Sequence, residues 1–393
     1  MKPTLLPLVG LSLAIALAGF GCTPATPAKQ VTAPGTDSGH MAPPADHAQA
    51  EVSGSVGNGT LDVRLISAFG QIRGAFTYVE SGKTVTGRAF GQVTGTQSLI
   101  GLYTGQWDDF AMATGTWNGD ALDLVISLTD KPEQRTTLGP VSNQAATFRI
   151  DQVSDADKRP DGTDRCTFNF AMPVLTSGGD ATALAAANGE LGKSFGLSPT
   201  STPQSLSTEF IDRCKADIQD LASDTTTADY AQDLAYDSET TFGVMRNRDG
   251  IASFLIDSYD YEGGAHGMPG IYAVNLDLAT GHALTLGDLV KRESLKPLVQ
   301  LVEGKVLKQY SDELFDEASA DFKKVVADKS PASEDELVNF AGLDDFYLTD
   351  NGFVFYWNVY EIAPYAAGQL TVEVPFSEIK SMLRTDAPAS SLK

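Results

Sequence analysis

Between Val52 and Leu128 the chain cannot run straight for long. Short β-rich runs (LDVRLISAF, GAFTYVE, KTVTGRAFG, LIGLYTGQW, MATGTWNG and LDLVISL) are interrupted by glycine every few residues. Strands separated by turns this short pair most readily with their sequence neighbours, so 51–130 is expected to be a small antiparallel β-rich domain, a barrel or meander. VESGKTV reads as one of its hairpin turns. Tyr103, Trp107 and Trp117 are aromatic candidates for a binding face, but large rings at strand spacing are read first as core.

What precedes this domain sets the compartment. Lys2 gives a basic start, and the apolar run Leu8 to Leu17 has the length of a signal-peptide core rather than of a membrane span. LAGFGC, ending at Cys22, resembles the lipobox of bacterial lipoproteins, although Gly19 stands where that motif usually has Leu. Residues 1–21 are therefore expected to be a signal peptide and Cys22 to carry lipid. An ordinary cleaved leader ending at ALA is the alternative. Thr23 rather than Asp after the cysteine implies a lipid-anchored protein of the cell envelope, at the outer membrane and facing the periplasm. Residues 22–50 are rich in Pro, Ala and Thr and lack large apolar side chains, so they read as a disordered tether. His40 and His47 are solvated there.

Export also makes the cysteines legible. With Cys22 lipidated, Cys166 and Cys214 remain, and two cysteines in an oxidising compartment are expected to pair. The closed loop of roughly 48 residues would be worth about 4 kcal/mol by chain entropy. Two buried thiols are the alternative. The net charge of -23 repels nucleic acid and attracts basic partners.

Beyond TDKPEQRTTLGPVSNQ, which reads as a domain boundary, the pattern is mixed and the fold class is α+β. ATFRIDQVS and CTFNFAMPVL are strand candidates, and DATALAAANGELGKSF and SLSTEFIDRCKADIQDLA are helix candidates. In the second helix Leu206, Phe210, Ile211, Cys214, Ile218 and Leu221 form one apolar face. IYAVNLDLATGHALTLGDLV predicts a hairpin turning at Thr280-Gly281 and leading into a helix, and LKPLVQLVEGKVLKQYSDELF a further helix. Strands are predicted over Phe353–Tyr360 and Gln369–Val374, and FSEIKSMLR closes with a short helix.

The chemistry-bearing candidates are few. His266 lies in YDYEGGAHGMPG, near Ser258, Asp260 and Glu262 but without a GxSxG elbow. A metal would need a third ligand beyond His266 and His282, which could meet across the hairpin. Glycines packed this closely point to a tight turn that His266 helps to fix. Asp257, Asp260, Glu262 and Glu361 could be paired as acid and base, but a chain with 20% charged residues supplies such pairs by accident. Neither a catalytic residue, a metal site nor a cofactor is expected. YEIAPYAAG is the better candidate. Tyr360, Pro364 and Tyr365 offer a large contact area for little ordering cost, as binding loops do. Tyr261 and His266 are counted with them as candidate partner contacts.

Taken together, YEGGAHG, VNLDLATGHALTLGDLV and FYLTDNGFVFYWNVYEIAPYAAGQLTVEVPF resemble the C-terminal domain of RsiV-type proteins. The preceding stretch is similar to the module found in the polysaccharide deacetylase PdaC. The resemblance implies two α+β lobes, 145–257 and 258–385, and a binding role, since RsiV-type anti-sigma factors bind lysozyme in its active-site cleft. A sigma-binding segment and a deacetylase catalytic domain have no counterpart here. The expectation is a non-catalytic binding or sensing lipoprotein, not an enzyme, with lysozyme or another basic muramidase as partner. The alternative is a protein that binds or processes cell-wall glycans.

Overall fold

Eight antiparallel strands in sequence order close into a barrel in the computed structural model, which describes residues 49–393 apart from 96, 105–107, 119–120, 130, 225, 228–230, 232, 387 and 393. They are β1 Gln49–Val56, β2 Gly59–Ala68, β3 Gln71–Glu80, β4 Lys83–Thr94, β5 Gln97–Thr104, β6 Asp108–Asn118, β7 Ala121–Leu128 and β8 Gln134–Pro140. Turns at Phe69-Gly70 and Ser81-Gly82 place both central residues at positive φ, the geometry whose twist matches a hairpin. Glycines inside the strands have another task. A Cβ on Gly87 or Gly91 would lie 2.0 Å from the carbonyl oxygen of Tyr103 or Leu99, so the strands bend where only glycine fits. Alternate residues such as Leu61, Val63, Leu65, Ile72, Phe76, Ile100 and Leu102 fill the interior, and Trp117 is buried with them.

The barrel extends past the expected limit at 130. Gln134–Pro140, read as part of a domain boundary, is the strand that closes it. That closure is thin. β1 pairs with β2 at eight positions but with β8 only at Val52↔Pro140 and Ser53↔Gly139. Further along, side chains take over from the ladder. Thr136 Oγ1 donates to the Ser55 carbonyl (2.8 Å), and Gly57 N–H donates to Gln134 Oε1 (2.6 Å).

The rest of the chain is α+β. A five-stranded sheet has the order β13-β12-β11-β10-β9, from β9 Phe148–Lys158, β10 Asp164–Leu175, β11 Tyr236–Arg248, β12 Ile251–Tyr261 and β13 Met268–Asp277. β10 and β11 are parallel, so the chain must cross over between them, and it does so through α1 Ala181–Ser194 and α2 Pro203–Ser223. Asp180 accepts from two backbone N–H groups at the start of α1; Thr202 and Ser205 form a capping box on α2, with Pro203 at its first position. α2 buries Phe210, Ile211, Cys214 and Ile218, the face expected from spacing. Cys214 is disulfide-bonded to Cys166 of β10.

β12 runs through residues 257 and 258, so the expected lobe boundary falls inside a strand. The hydrophobic cores divide further on, because Val274 and Leu276 of β13 pack with the first sheet while Leu284 onward packs with the second. That second core joins β14 Phe346–Leu348, β15 Gly352–Trp357 and β16 Leu370–Pro375 to α3 Leu286–Leu289, α4 Leu295–Tyr310, α5 Asp316–Ala327, α6 Glu334–Ala341 and α7 Phe376–Ile379. Leu295, Leu298, Val302, Val306 and Tyr310 are the buried stripe of α4, three or four residues apart. Among the described residues no helix is long and apolar enough to cross a membrane.

The barrel packs on the five-stranded sheet through small residues. A Cβ on Gly243 of β11 would lie 3.2 Å from the Cα of Gly74 of β3. Ile66 and Ala68 of the barrel belong to the core of the sheet. A buried ionic cluster locks this seam to the β14–β15 turn. Arg64 bonds Glu51 (2.8 Å) and Asp350, while Arg248 Nε reaches Asp350 Oδ1 at 3.0 Å. Arg246 donates to the Thr349 carbonyl (3.2 Å). Burial acts to lower the Arg64 pKa, but Asp350 and Glu51 outweigh it and leave it raised.

Candidate binding surface

Two loops meet at one end of the module. The first, between β12 and β13, carries EGGAHG; the second, between β15 and β16, carries YEIAPYAAG. β15 stops at Trp357, three residues short of the expected end, because the next side chain leaves the ladder. Asn358 grips β13, with its Nδ2 donating to the Ile271 carbonyl (3.1 Å) and its Oδ1 accepting from the Ile271 N–H (2.7 Å). Tyr360 then turns the chain at φ +69, an uncommon conformation for a bulky residue, with its N–H on the Ala363 carbonyl (3.1 Å).

The loops lock together ring to ring. Tyr365 Oη donates to the Gly267 carbonyl (2.9 Å), and the Tyr365 ring stacks on His266 at 3.9 Å between centroids. Tyr360 packs on the other partner of that stack, 5.7 Å from Tyr365. His266 Nδ1 also lies 3.0 Å from the Gly267 carbonyl. A Cβ on Gly267 would sit 2.3 Å from the end of the Tyr259 ring, so any larger residue there would push that ring aside. The result is a short aromatic platform of His266, Tyr365 and Tyr360, beside exposed Pro364; Tyr360 is 49% exposed.

The five candidate contacts thus do not share one role. His266, Tyr360 and Tyr365 come together, and Pro364 precedes the turn that presents Tyr365. Tyr261 instead braces its own loop, donating from Oη to the Gly264 carbonyl (3.2 Å). Sequence reasoning missed Tyr259 and Asn358, whose signal was weak. Tyr259 needed the β12–β13 register to be placed against Gly267, and Asn358 looked like an ordinary strand residue.

His266 and His282, which could have met across a hairpin, do not. His266 precedes β13 and His282 follows it, so ten residues of strand, about 30 Å, lie between them. Beyond β13 the predicted hairpin is reduced to one bridge, Leu276↔Ala283. Among the described residues no group of three or more His, Cys, Asp or Glu is placed to hold a metal ion.

The four carboxylates considered as an acid–base set each have their own partner: Asp257 pairs with Arg88, Asp260 accepts from Ser238 (2.7 Å), Glu262 meets Arg213 (2.6 Å) and Glu361 accepts from the Asn358 N–H (2.9 Å). Near the platform, burial together with Asp344 and Glu361 pushes Asp345 up to about 6. The Asp344, Asp345 and Glu361 group makes this edge acidic. Of the remaining candidates, Trp117 lies in the barrel core and Tyr103 on the outer wall of β5; Cys22, His40, His47 and Trp107 lie outside the described residues.

Comparison with known proteins falls on the same two regions. Residues 161–269 match the family model described as deacetylase PdaC, and residues 288–377 match a family described as a protein of unknown function, DUF3298. Among solved structures, a DUF3298 family member from Bacteroides fragilis is 22% identical with a TM-score of 0.46, covering 64% of this chain and 98% of its own. A DUF3298 family protein from Pseudomonas aeruginosa is 16% identical with a TM-score of 0.34, over 61% of this chain and 95% of its own. No curated protein matches. The chain therefore carries a PdaC-type domain followed by a DUF3298 domain, behind an eight-stranded barrel.

Proposed function

We propose that this protein is a non-catalytic binding or sensing module of the cell envelope, held by lipid on Cys22 at the outer membrane, and that its partner is a basic muramidase of the lysozyme type. The observation that carries the reading is the ring platform. Two loops from different strands pair are locked against each other so that Tyr360 stands exposed at a bend. Preorganised aromatic tips of this kind lose little freedom on entering a partner's cleft. The order of a PdaC-type domain followed by DUF3298 supports an RsiV-like arrangement of the module. The net charge of -23, with the Asp344, Asp345 and Glu361 edge beside the platform, would speed encounter with a basic protein.

The test is titration of the chain from Ala50 onward against purified lysozymes at physiological salt, with muramidase activity followed in parallel. Saturable binding is expected, with Tyr360→Ala and Tyr365→Ala each weakening it by about 2 kcal/mol, the scale of an interface hot spot. Binding that both variants leave unchanged in a folded protein would show that the platform is not the contact. Absence of binding to every lysozyme type tried would remove the muramidase.

A further inference from the structure

The outward-facing side chains of β4 and β5 hold the barrel wall away from the rest of the molecule and leave a trench. One part of it, of about 410 Å³, lies between Thr86, Arg88, Tyr103, Gln309, Gln369 and Glu373. Past Phe90 it continues into a second hollow of about 270 Å³ that reaches Tyr259 and Gly368, next to the ring platform. A third of about 380 Å³ opens along the barrel wall past Phe90 and Tyr103.

The chemistry of the walls selects among ligands. The two cations already face carboxylates: Arg88 meets Asp257, and Arg73 lies 3.6 Å from Glu239. Both guanidiniums also flank the Phe90 ring, at 4.4 and 5.4 Å from its centroid. That balance removes the attraction a phosphate or uronate would need. Glu373 accepts from Thr86 Oγ1 and Asn351 Nδ2, both at 2.8 Å. By contrast, the amides of Gln309 and Gln369 make no hydrogen bond among the described residues and line the opening. Hydroxyls, amides and rings thus share a wall on which two cations face three carboxylates, an arrangement with no surplus of positive charge.

An extended peptide would be expected to pair with the free edge of β16, but that edge is stoppered. Tyr310 Oη both donates to the Thr371 carbonyl and accepts from the Thr371 N–H, two of the backbone groups a new strand would need in the middle of that edge. We infer that the trench binds a short uncharged oligosaccharide, with the Gln309 and Gln369 amides on its hydroxyl or acetamido groups and the Tyr103 side along its ring edges. This site lies beside the platform, but its ligand does not depend on the muramidase reading.

Calorimetric titration of the full chain with chitotetraose and with cellotetraose, which differ in their N-acetyl groups, tests it. Saturable binding of at least one tetramer is expected. Gln309→Ala and Gln369→Ala should each weaken it roughly three- to tenfold, the worth of one amide hydrogen bond, and Gln309→Trp should abolish it by filling the trench. Thermal melts check that each variant is folded. Absence of saturable binding at millimolar concentration for both tetramers would overturn the inference, as would binding that none of the Gln variants alters. Binding of an extended tetrapeptide in place of either sugar would assign the trench to peptide instead and overturn it as well.

Discussion

The same barrel wall makes two opposite seams with the rest of the molecule. On β2 and β3 its outward residues include Ile66, Ala68 and Ala75, which sink into neighbouring cores, and Arg64, which is 3% exposed within its ion cluster. On β4 and β5 they are Arg88, Phe90 and Tyr103, long side chains that stand the wall off and leave the trench. The difference teaches that docking and opening are set strand by strand, by side-chain length on one parity of the pleat. Both seams contain Arg–Asp pairs, yet only in the closed one is the carboxylate shared among several guanidiniums away from water.

The sharpest test of that contrast removes one carboxylate from each seam. Asp350→Ala removes the carboxylate that Arg64, Arg246 and Arg248 share and leaves only Glu51 and Asp249 to face three guanidiniums, and urea unfolding should show a loss of about 3 kcal/mol, the lower end for breaking a buried pair. Asp257→Ala, in the open trench, should cost about 1 kcal/mol or less. Equal losses would mean that the two seams are not different in kind. Next in size is Gly74→Ala. Its Cβ would lie 1.8 Å from the Arg64 carbonyl oxygen on the neighbouring barrel strand, so the barrel wall behind the closed seam must shift, at about 1 to 3 kcal/mol. A neutral outcome there would show that the wall behind the seam tolerates extra bulk.

A smaller effect lies away from both seams and is read through pH. Burial, helped by Asp321, pushes Glu303 of α4 up to about 7. Its folded-state pKa is above the unfolded one, so the folded chain holds the extra proton between about 4.5 and 7. Stability is therefore intact below that window and declines as pH rises through it. Glu303→Gln should then stabilise by about 1 to 2 kcal/mol at pH 8.5, after discounting for partial exposure, and by almost nothing at pH 4.5. Melting curves at the two values would measure it; a gain that does not depend on pH would show that Glu303 acts through packing alone.

Much of the architecture was legible because it is periodic. Glycine punctuation announced the barrel, and the α2 stripe with Cys214 announced which face would meet β10. The barrel's last strand was not legible. QRTTLGP has one large apolar residue, Leu138, and a proline, so nothing marks it as a strand until β7 and β1 are in place to receive it. The lobe division at 257/258 followed the family resemblance, and nothing local in the sequence shows that β12 runs through it or that the strand beyond the glycine loop returns to the same sheet. At the platform, the tyrosines were legible from their turn, but the stack on His266 required two loops nearly a hundred residues apart to be brought into register. The trench had no local signature, because its walls come from β4, β5, α4 and β16.

The thin closure between β1 and β8 has a kinetic consequence. Pro140 has no N–H to give, and beyond two paired positions the join rests on one more backbone bond, from the Val141 N–H to the Glu51 carbonyl, and on the Thr136 and Gln134 side chains, so this edge can part without dismantling any other ladder. The barrel is better thought of as a rolled sheet with one latch than as a continuous ring. Opening the latch would cost only a fraction of global unfolding, so amides along β8 and the facing rim of β1 should exchange with deuterium well before those of β2 to β4.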